Sequence, residues 1–272
     1  MNAPQTDSLF AGSIPELYDR LLVPLLFEPY AEDLAARLFA RRPGRVLELA
    51  AGTGVVTRRL ARALPPSTEI VATDLNQAMV DRAAQVGTAR PVEWKQADAQ
   101  ALPFDAESFD AVVCQFGAMF FPDKGKAFAE ALRVLRPGGV FLFNVWDRIG
   151  ENEFSAVIED ALVPLFPDDP PRFLSRTPFG YHDPEAISRH LAGGGFTAVP
   201  RFTTITARSR ADSARAPAVG ICQGSPLRND IEARDPASLG RATDVAAAAL
   251  AALFGPGVVD GKIQALVVSV ER

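Results

Sequence analysis

The stretch "VLELAAGTGVVT", residues 46–57, decides the fold. Val46, Leu47 and Leu49 mark a buried strand that carries one acidic residue, Glu48, near its end. Two alanines, Gly52 and Gly54 come next, and "VVTRRLARAL" then sets Val56, Leu60 and Leu64 on one face of a helix. A strand, a glycine-rich turn and a helix in that order let a polar ligand come close to the backbone of the turn. That ligand is either a phosphate or a group that prefers a carboxylate beside it.

The alternation continues outward. "EIVATD" is a second strand, and "NQAMVDRAAQ" a helix that Asn76 is placed to cap. "VEWKQAD" and "FDAVVCQF" are the third and fourth strands. "KAFAEALRVLR" is a helix closed by "PGG", and "VFLFNVW" is a fifth strand. Upstream, residues 13–40 are helical, with Ala31, Leu34, Ala35 and Leu38 as a stripe and Pro24 and Pro29 dividing the earlier part into pieces. Downstream, "ENEFSAVIEDALVPLF" and "DPEAISRHLAGGGF" read as helices, and "RFTTITARS" and "KIQALVVSVE" as strands. Apolar strands alternating with helices predict a parallel sheet covered on both faces, with ligands beyond the carboxyl ends of its strands. The expected organisation is an N-terminal helical cap over residues 1–42, a core over 43–207, a helical insertion acting as a lid over 208–258, and a final core strand over 259–272.

The chain has 272 residues, of which 48% are hydrophobic, ample for a full core. A net charge of −5 argues against a nucleic-acid surface, which needs a basic face. Cys114 and Cys222 lack metal-ligand spacing, and His182 and His190 are too few for a histidine-built metal site, so no metal and a cytoplasmic location are expected. "MNAPQTDSLF" lacks a basic region followed by an apolar run, so no signal peptide is expected. The most apolar stretches reach about half of the roughly 20 residues that a membrane span needs.

A dinucleotide fingerprint would begin at Gly52 and Gly54 but finds Thr57 where its third glycine belongs, and "GTGVVT" lacks the lysine of a Walker loop. Glu48 would also repel a pyrophosphate. A cationic nucleoside fits better. S-adenosylmethionine carries a sulfonium, an ammonium and a carboxylate, and no phosphate. Its carboxylate suits the helix N-terminus after Gly54, and its ammonium suits Glu48. Asp74 can accept both ribose hydroxyl protons, and Asp98 stands where the adenine amino group needs an acceptor. These three acidic residues close three successive strands, 26 and 24 positions apart.

Together with "VATDLNQAM", "KQADAQALPFDAESFDAVVCQFGAMFF" and "EALRVLRPGGVFLFNVWD", the opening stretch resembles the successive motifs of the class I S-adenosylmethionine-dependent methyltransferases. The similarity is greatest to the small-molecule branch that includes the ubiquinone and menaquinone biosynthesis methyltransferases. It is close over residues 43–147 and looser on either side. The resemblance implies a Rossmann-like, doubly wound, seven-stranded α/β sheet, mostly parallel with an antiparallel last strand, plus helical lid elements. It implies that Glu48, Gly52 and Gly54 line the methionine part of the cofactor, with Ala50 between them where many relatives carry glycine. Asp74 would hold the ribose, Leu75 and Met79 would pack beside the adenosine, and Asp98 with the N–H of Ala99 would read the adenine. Gln115 and Phe116 would face the transferring methyl group, and Tyr18 in "YDR" would close over the cofactor.

Methyl transfer from a sulfonium is an in-line displacement in which positioning and desolvation supply much of the rate. A base is needed only when the acceptor must lose a proton, and the sequence presents no evident one, so the catalytic residue is unassigned. Phe120, Trp146 and His182 are the substrate-facing candidates, whereas Cys114 and His190 read as structural. No N-P-P-Y segment follows the fourth strand. With the acidic charge, this favours methylation of O, N or C on a small molecule over nucleic acid or protein. Two other readings stand beside it: a catalytically silent cofactor-binding partner or regulatory protein, and a nicotinamide-dependent oxidoreductase. A homodimer is compatible with the sequence.

Overall fold

The computed structural model describes Asp7, Phe10 and residues 12–272. The chain begins with α1 (Ile14–Leu17), a π-helical stretch (Tyr18–Phe27) and α2 (Glu28–Arg41). Next come β1 (Arg45–Leu49), α3 (Val55–Ala63), β2 (Glu69–Asp74), α4 (Gln77–Val86), β3 (Glu93–Gln96) and β4 (Phe109–Gln115). They lead to α5 (Lys124–Val134), β5 (Leu135–Trp146), α6 (Glu153–Leu162), α7 (Phe173–Arg176) and α8 (Pro184–Gly193). The last elements are β6 (Arg201–Ala211), α9 (Arg215–Gln223), α10 (Leu227–Glu232), α11 (Leu239–Phe254) and β7 (Val259–Glu271).

One seven-stranded sheet has the order β3-β2-β1-β4-β5-β7-β6. The pairs β1·β2, β1·β4, β2·β3 and β4·β5 are parallel, with Leu47 opposite Val71 on one side and Val112 on the other. At β7 the direction reverses. Arg272 bonds Gly139 while Gln264 bonds Asp147, so the β7 index falls as the β5 index rises. Against β6, Thr206 reaches Gln264 and Arg210 reaches Asp260, the same reversal. The sheet is therefore Rossmann-like with an antiparallel last strand. Strand order reverses at β1 and β4, where ligands of such sheets bind.

The apolar pattern explains the elements. Val46, Leu47 and Leu49 are buried, as are Ala111, Val112, Val113 and Cys114 on β4, the continuous runs of strands covered on both faces. Val56, Leu60 and Leu64 are buried along α3, and Ala31, Leu34, Ala35 and Leu38 along α2. The N-terminal helices differ from expectation. Pro24 does not break the chain into pieces but lies inside the π-helical stretch. A proline lacks the N–H and crowds the carbonyl four residues back, and a widened turn relieves both. Pro29 falls in the first turn of α2, where a proline is tolerated. Near β5, α5 stops at Val134 and the Pro137-Gly138-Gly139 turn belongs to the start of the strand. There Gly138 has φ 78°, and the register with β4 shifts between Phe109 and Ala111.

The chain forms two compact units. The sheet-centred unit comprises residues 28–145, 181–205 and 266–272; within it α2 lies on α3, and α5 on α8. The helical unit comprises the described residues up to Phe27, with 146–180 and 206–265. There α11 packs against α6 and α9, and α9 against the π-helical stretch. Residues 146–180 thus join the insertion because their helices pack with it.

Candidate functional site

Glu48, on β1, is 1% exposed and accepts a hydrogen bond from the Thr57 hydroxyl at 2.6 Å. Burial pushes its pKa up to about 8, although Thr57 and the nearby charge of Arg58 pull the other way and the Asp74 charge adds to the rise. Beyond it the chain turns through Ala50 (φ 51°), Gly52 (φ 56°) and Gly54 (φ 84°), all left-handed. A β-carbon at Gly54 would stand 2.7 Å from the Trp94 ring, so glycine lets α3 sit close to β3. Gly54 is the N-cap of α3 and supplies no side-chain cap, which leaves the start of the helix suited to an anion.

Asp74, at the end of β2, is buried and ties the turn to its own strand. One carboxylate oxygen accepts the Gly52 N–H at 2.8 Å and the other the Asn76 N–H at 2.8 Å. Burial raises its pKa, and these backbone bonds oppose the rise. Asn76 stands at the N-cap of α4, yet its side chain does not cap the helix; its amide turns to Asp74 at 3.5 Å. A carboxylate has about four lone-pair sites, so Asp74 retains acceptor capacity after its backbone bonds. Leu75 is 51% exposed, an apolar side chain at a strand end, whereas Met79 is buried in α4. Asp98 lies two residues past the end of β3, half-buried, and accepts the Gln100 N–H at 2.8 Å; Ala99 beside it is buried.

After β4, Gln115 is 9% exposed and Phe116 takes the left-handed φ of 49°. Asn144 of β5, fully buried, supports both: its Oδ1 accepts the Phe116 N–H at 2.9 Å and its Nδ2 donates to Gln115 at 3.5 Å. Gly117 lies against the turn after β1, where a β-carbon would come within 2.4 Å of the Ala50 methyl. Phe120 ends a short 3-10 turn, Ala118–Phe120, and His182 precedes α8; both are half-buried. The structure therefore brings Glu48, Ala50, Gly52, Gly54, Asp74 and Gly117 together through the turn.

Tyr18 and Trp146 belong to the helical unit. Tyr18 stacks on Phe27 at 5.0 Å with Phe10 edge-on, and Trp146 packs between Phe27 and Phe179. Cys114 is buried, and His190 meets the Tyr181 hydroxyl at 3.0 Å. Sequence reasoning missed Thr57, Gly117 and Asn144. Of these only Asn144 left a signal, as the one polar residue in "VFLFNVW". A cleft of about 380 Å³ lies at the opposite, amino ends of β1 and β4, beside Arg42, Gly44 and Asp110. Asp110 is consumed there by the N–H groups of Gly44 and Arg45 and by Arg136, far from the strand ends that carry the turn.

The donors and acceptors at those strand ends fit a cation with a carboxylate: a buried carboxyl with no basic hydrogen-bond partner among the described residues, and an uncapped helix start. A methyltransferase-domain family model matches residues 47–143. The chain belongs to the class I S-adenosylmethionine-dependent methyltransferases. Within them it is similar to the ubiquinone/menaquinone biosynthesis C-methyltransferase UbiE. The Stutzerimonas stutzeri protein is 30% identical over 206 residues, covering 71% of this chain and 76% of that one. The Ectopseudomonas mendocina protein is 33% identical over 172 residues, covering 58% and 67%. Among solved structures, the [4+2]-cyclase SpnF aligns over 100% of this chain and 97% of its own with a TM-score of 0.57 at 18% identity. YcgJ from Bacillus subtilis aligns over 88% and 98% with 0.53, also at 18%. These structural likenesses establish the fold alone. The protein is an enzyme that methylates a small-molecule acceptor using S-adenosylmethionine, and the silent-partner reading gains no support. Among the described residues no helix is long and apolar enough to cross a membrane.

Proposed function

We propose that the sheet-centred unit holds S-adenosylmethionine at the ends of β1, β2 and β3 and presents its methyl group to a small, partly apolar acceptor beyond β4. The observation that carries this reading is the buried Glu48 carboxyl, bonded to Thr57 and, among the described residues, to no basic side chain, beside an uncapped helix start. The bound cofactor supplies an electrophilic methyl group on a positively charged sulfur. Glu48 receives the ammonium, and the first turn of α3 receives the carboxylate. Asp74 accepts the ribose hydroxyls while its backbone bonds keep the turn closed around them. Leu75 and Met79 cover the adenosine, and Asp98 with the Ala99 N–H reads the adenine. Gln115, Phe116, Phe120 and His182 border the reacting carbon and keep water from it. Tyr18 as a cofactor-facing residue and Trp146 as a substrate-facing one belong to the same proposal.

The relatives' names place them in quinone biosynthesis as C-methyltransferases, so electron-rich ring carbons are the first acceptors to test. The net charge of −5 supports a small molecule over nucleic acid. A cytoplasmic location, where two buried free thiols remain reduced, belongs to the same proposal. Calorimetric titration with S-adenosylmethionine, its demethylated product and NAD tests the cofactor site. Binding of the first two alone is expected; binding of NAD alone would overturn it. Mass-spectrometric screening of metabolite pools then identifies the acceptor. Removal of residues 210–258 from a chain that still folds should abolish turnover while keeping cofactor binding, if the insertion selects the acceptor.

A further inference from the structure

Lys124 is placed in a way that helix stability alone does not explain. It is the first residue of α5, where a cation faces the positive end of the helix dipole. It is half-buried, burial lowers its pKa, and no carboxylate lies within ion-pair distance of it among the described residues. Its ammonium instead donates to the main-chain carbonyls of Phe121 at 3.0 Å and Met119 at 3.3 Å. It also stands 4.8 Å over the ring of Tyr181. The Tyr181 side chain is buried, and its hydroxyl meets Nδ1 of His190 on α8 at 3.0 Å. One side chain thus joins the segment after β4 to the segment before α8. Asn144 holds the near end of the first segment through the Phe116 N–H, and Lys124 holds its far end.

We propose that Lys124, anchored by Tyr181 and His190, is a positioning residue for methyl transfer: it locks residues 116–121 to residues 181–182 so that Phe116, Phe120 and His182 keep one mutual arrangement around the acceptor. The inference rests on the proposed acceptor site beyond β4. Its physical basis is geometric. A lysine reaches two carbonyls at the end of a 3-10 turn, satisfying acceptors that would otherwise be unpaired, and its charge rests on an aromatic face. Methyl transfer depends on the approach line of the acceptor, so a wall that drifts by a fraction of an ångström weakens acceptor binding before it affects the cofactor.

The test compares Lys124→Met, which keeps the stem but loses the donors, with Lys124→Arg and Tyr181→Phe. In Lys124→Met the acceptor KM should rise by about tenfold, the scale of losing such hydrogen bonds. The dissociation constant for S-adenosylmethionine should stay within about twofold of wild type on the same scale. Lys124→Arg should restore most of the loss, and Tyr181→Phe should shift KM in the same direction by less. A lowered melting temperature with unchanged KM would reduce Lys124 to a packing role and overturn the proposal. Amide exchange gives an answer that needs no acceptor: Lys124→Met should speed exchange in 116–121 and in 181–182 together. Faster exchange in the first segment alone would show that the two are not joined. Wild-type protein that binds cofactor but methylates nothing would instead count against the acceptor reading, a separate failure.

Discussion

The sheet-centred unit and the helical unit hold their key side chains by different means. In the first, Glu48, Asp74 and Gly52 are fixed by partners that the strand-turn-helix repeat brings beside them, such as Thr57 nine residues after Glu48 and the N–H of Asn76 two residues after Asp74. In the second, Tyr18, Phe27, Trp146 and Phe179 form a run of ring contacts between 5.0 and 6.0 Å, drawn from segments more than a hundred residues apart. Asp7 is clasped there by Arg176 and Thr177, about 170 positions away. Polar geometry at strand ends is thus a local property of the chain, whereas aromatic packing in the helical unit is a property of the finished fold. The first kind of site can be spoiled by one atom; the second gives way by losing volume.

The largest expected effect tests the helical side. Trp146→Ala empties a ring site that is 4% exposed between Phe27 and Phe179 and should cost about 3–5 kcal/mol of unfolding free energy by denaturant titration. Affinity for S-adenosylmethionine should change little in the protein that remains folded. A loss of cofactor affinity beyond about tenfold (1.4 kcal/mol) would break the division of labour between the two units.

Asp74→Asn sits on the other side of the comparison. It removes the charge that accepts the Gly52 and Asn76 N–H groups and, by the proposal, the ribose hydroxyls. Cofactor binding should weaken by about 1–3 kcal/mol by calorimetry. Unchanged affinity would remove the ribose assignment.

This contrast also explains what the sequence made legible. The strand-turn-helix order, the three acidic positions and the left-handed turn follow from periodicity and from glycine, all local properties, so the sheet and the turn were readable. Asp98 was placed at a strand end yet lies two residues beyond it, because β3 ends at Gln96, opposite the last residue of β2, Asp74. The cap expected of Asn76 was displaced by a competing partner, the Asp74 carboxylate, which no propensity argument weighs. The grouping of residues 146–180 with the helical unit has another source. Residues 146–180 pattern as a continuation of the sheet-centred chain, and only the packing of α6 on α11 reveals their partner.

A smaller effect should appear in pH dependence. Burial raises the folded-state pKa of Glu48 to about 8 from an ordinary 4.5. A raised carboxyl pKa means that the folded chain without cofactor holds this proton more tightly than the unfolded chain. Its stabilising contribution is complete below about pH 4.5 and is lost as pH rises through 8. The ammonium, however, needs the ionised form. Affinity for S-adenosylmethionine should therefore climb by up to about tenfold per unit between roughly pH 5.5 and 7, where the ligand's own amino group stays protonated. Glu48→Gln should flatten that slope and weaken binding, yet raise the melting temperature of the cofactor-free chain at pH 8. A slope that survives in Glu48→Gln would assign the proton to another group.

The finest test concerns one methyl group in the turn. Ala50 takes φ 51°, a conformation that costs a residue with a β-carbon about 1–2 kcal/mol and a glycine almost nothing. Ala50→Gly relieves that strain but adds about 0.4–1 kcal/mol of unfolded-state freedom, so alone it should move stability by less than about 1 kcal/mol. Its partner gives the change meaning. Gly117→Ala would drive a β-carbon to 2.4 Å from the Ala50 methyl and 2.7 Å from the Cys114 sulfur, overpacking that should cost about 1–3 kcal/mol. Combined with Ala50→Gly, the first of those clashes disappears while the second remains. The double variant should therefore be more stable than the sum of the single changes by about 1 kcal/mol. Additive effects would show that the turn after β1 and the turn after β4 do not press on each other, and the methyl of Ala50 would then lose its role in setting how closely the two approach.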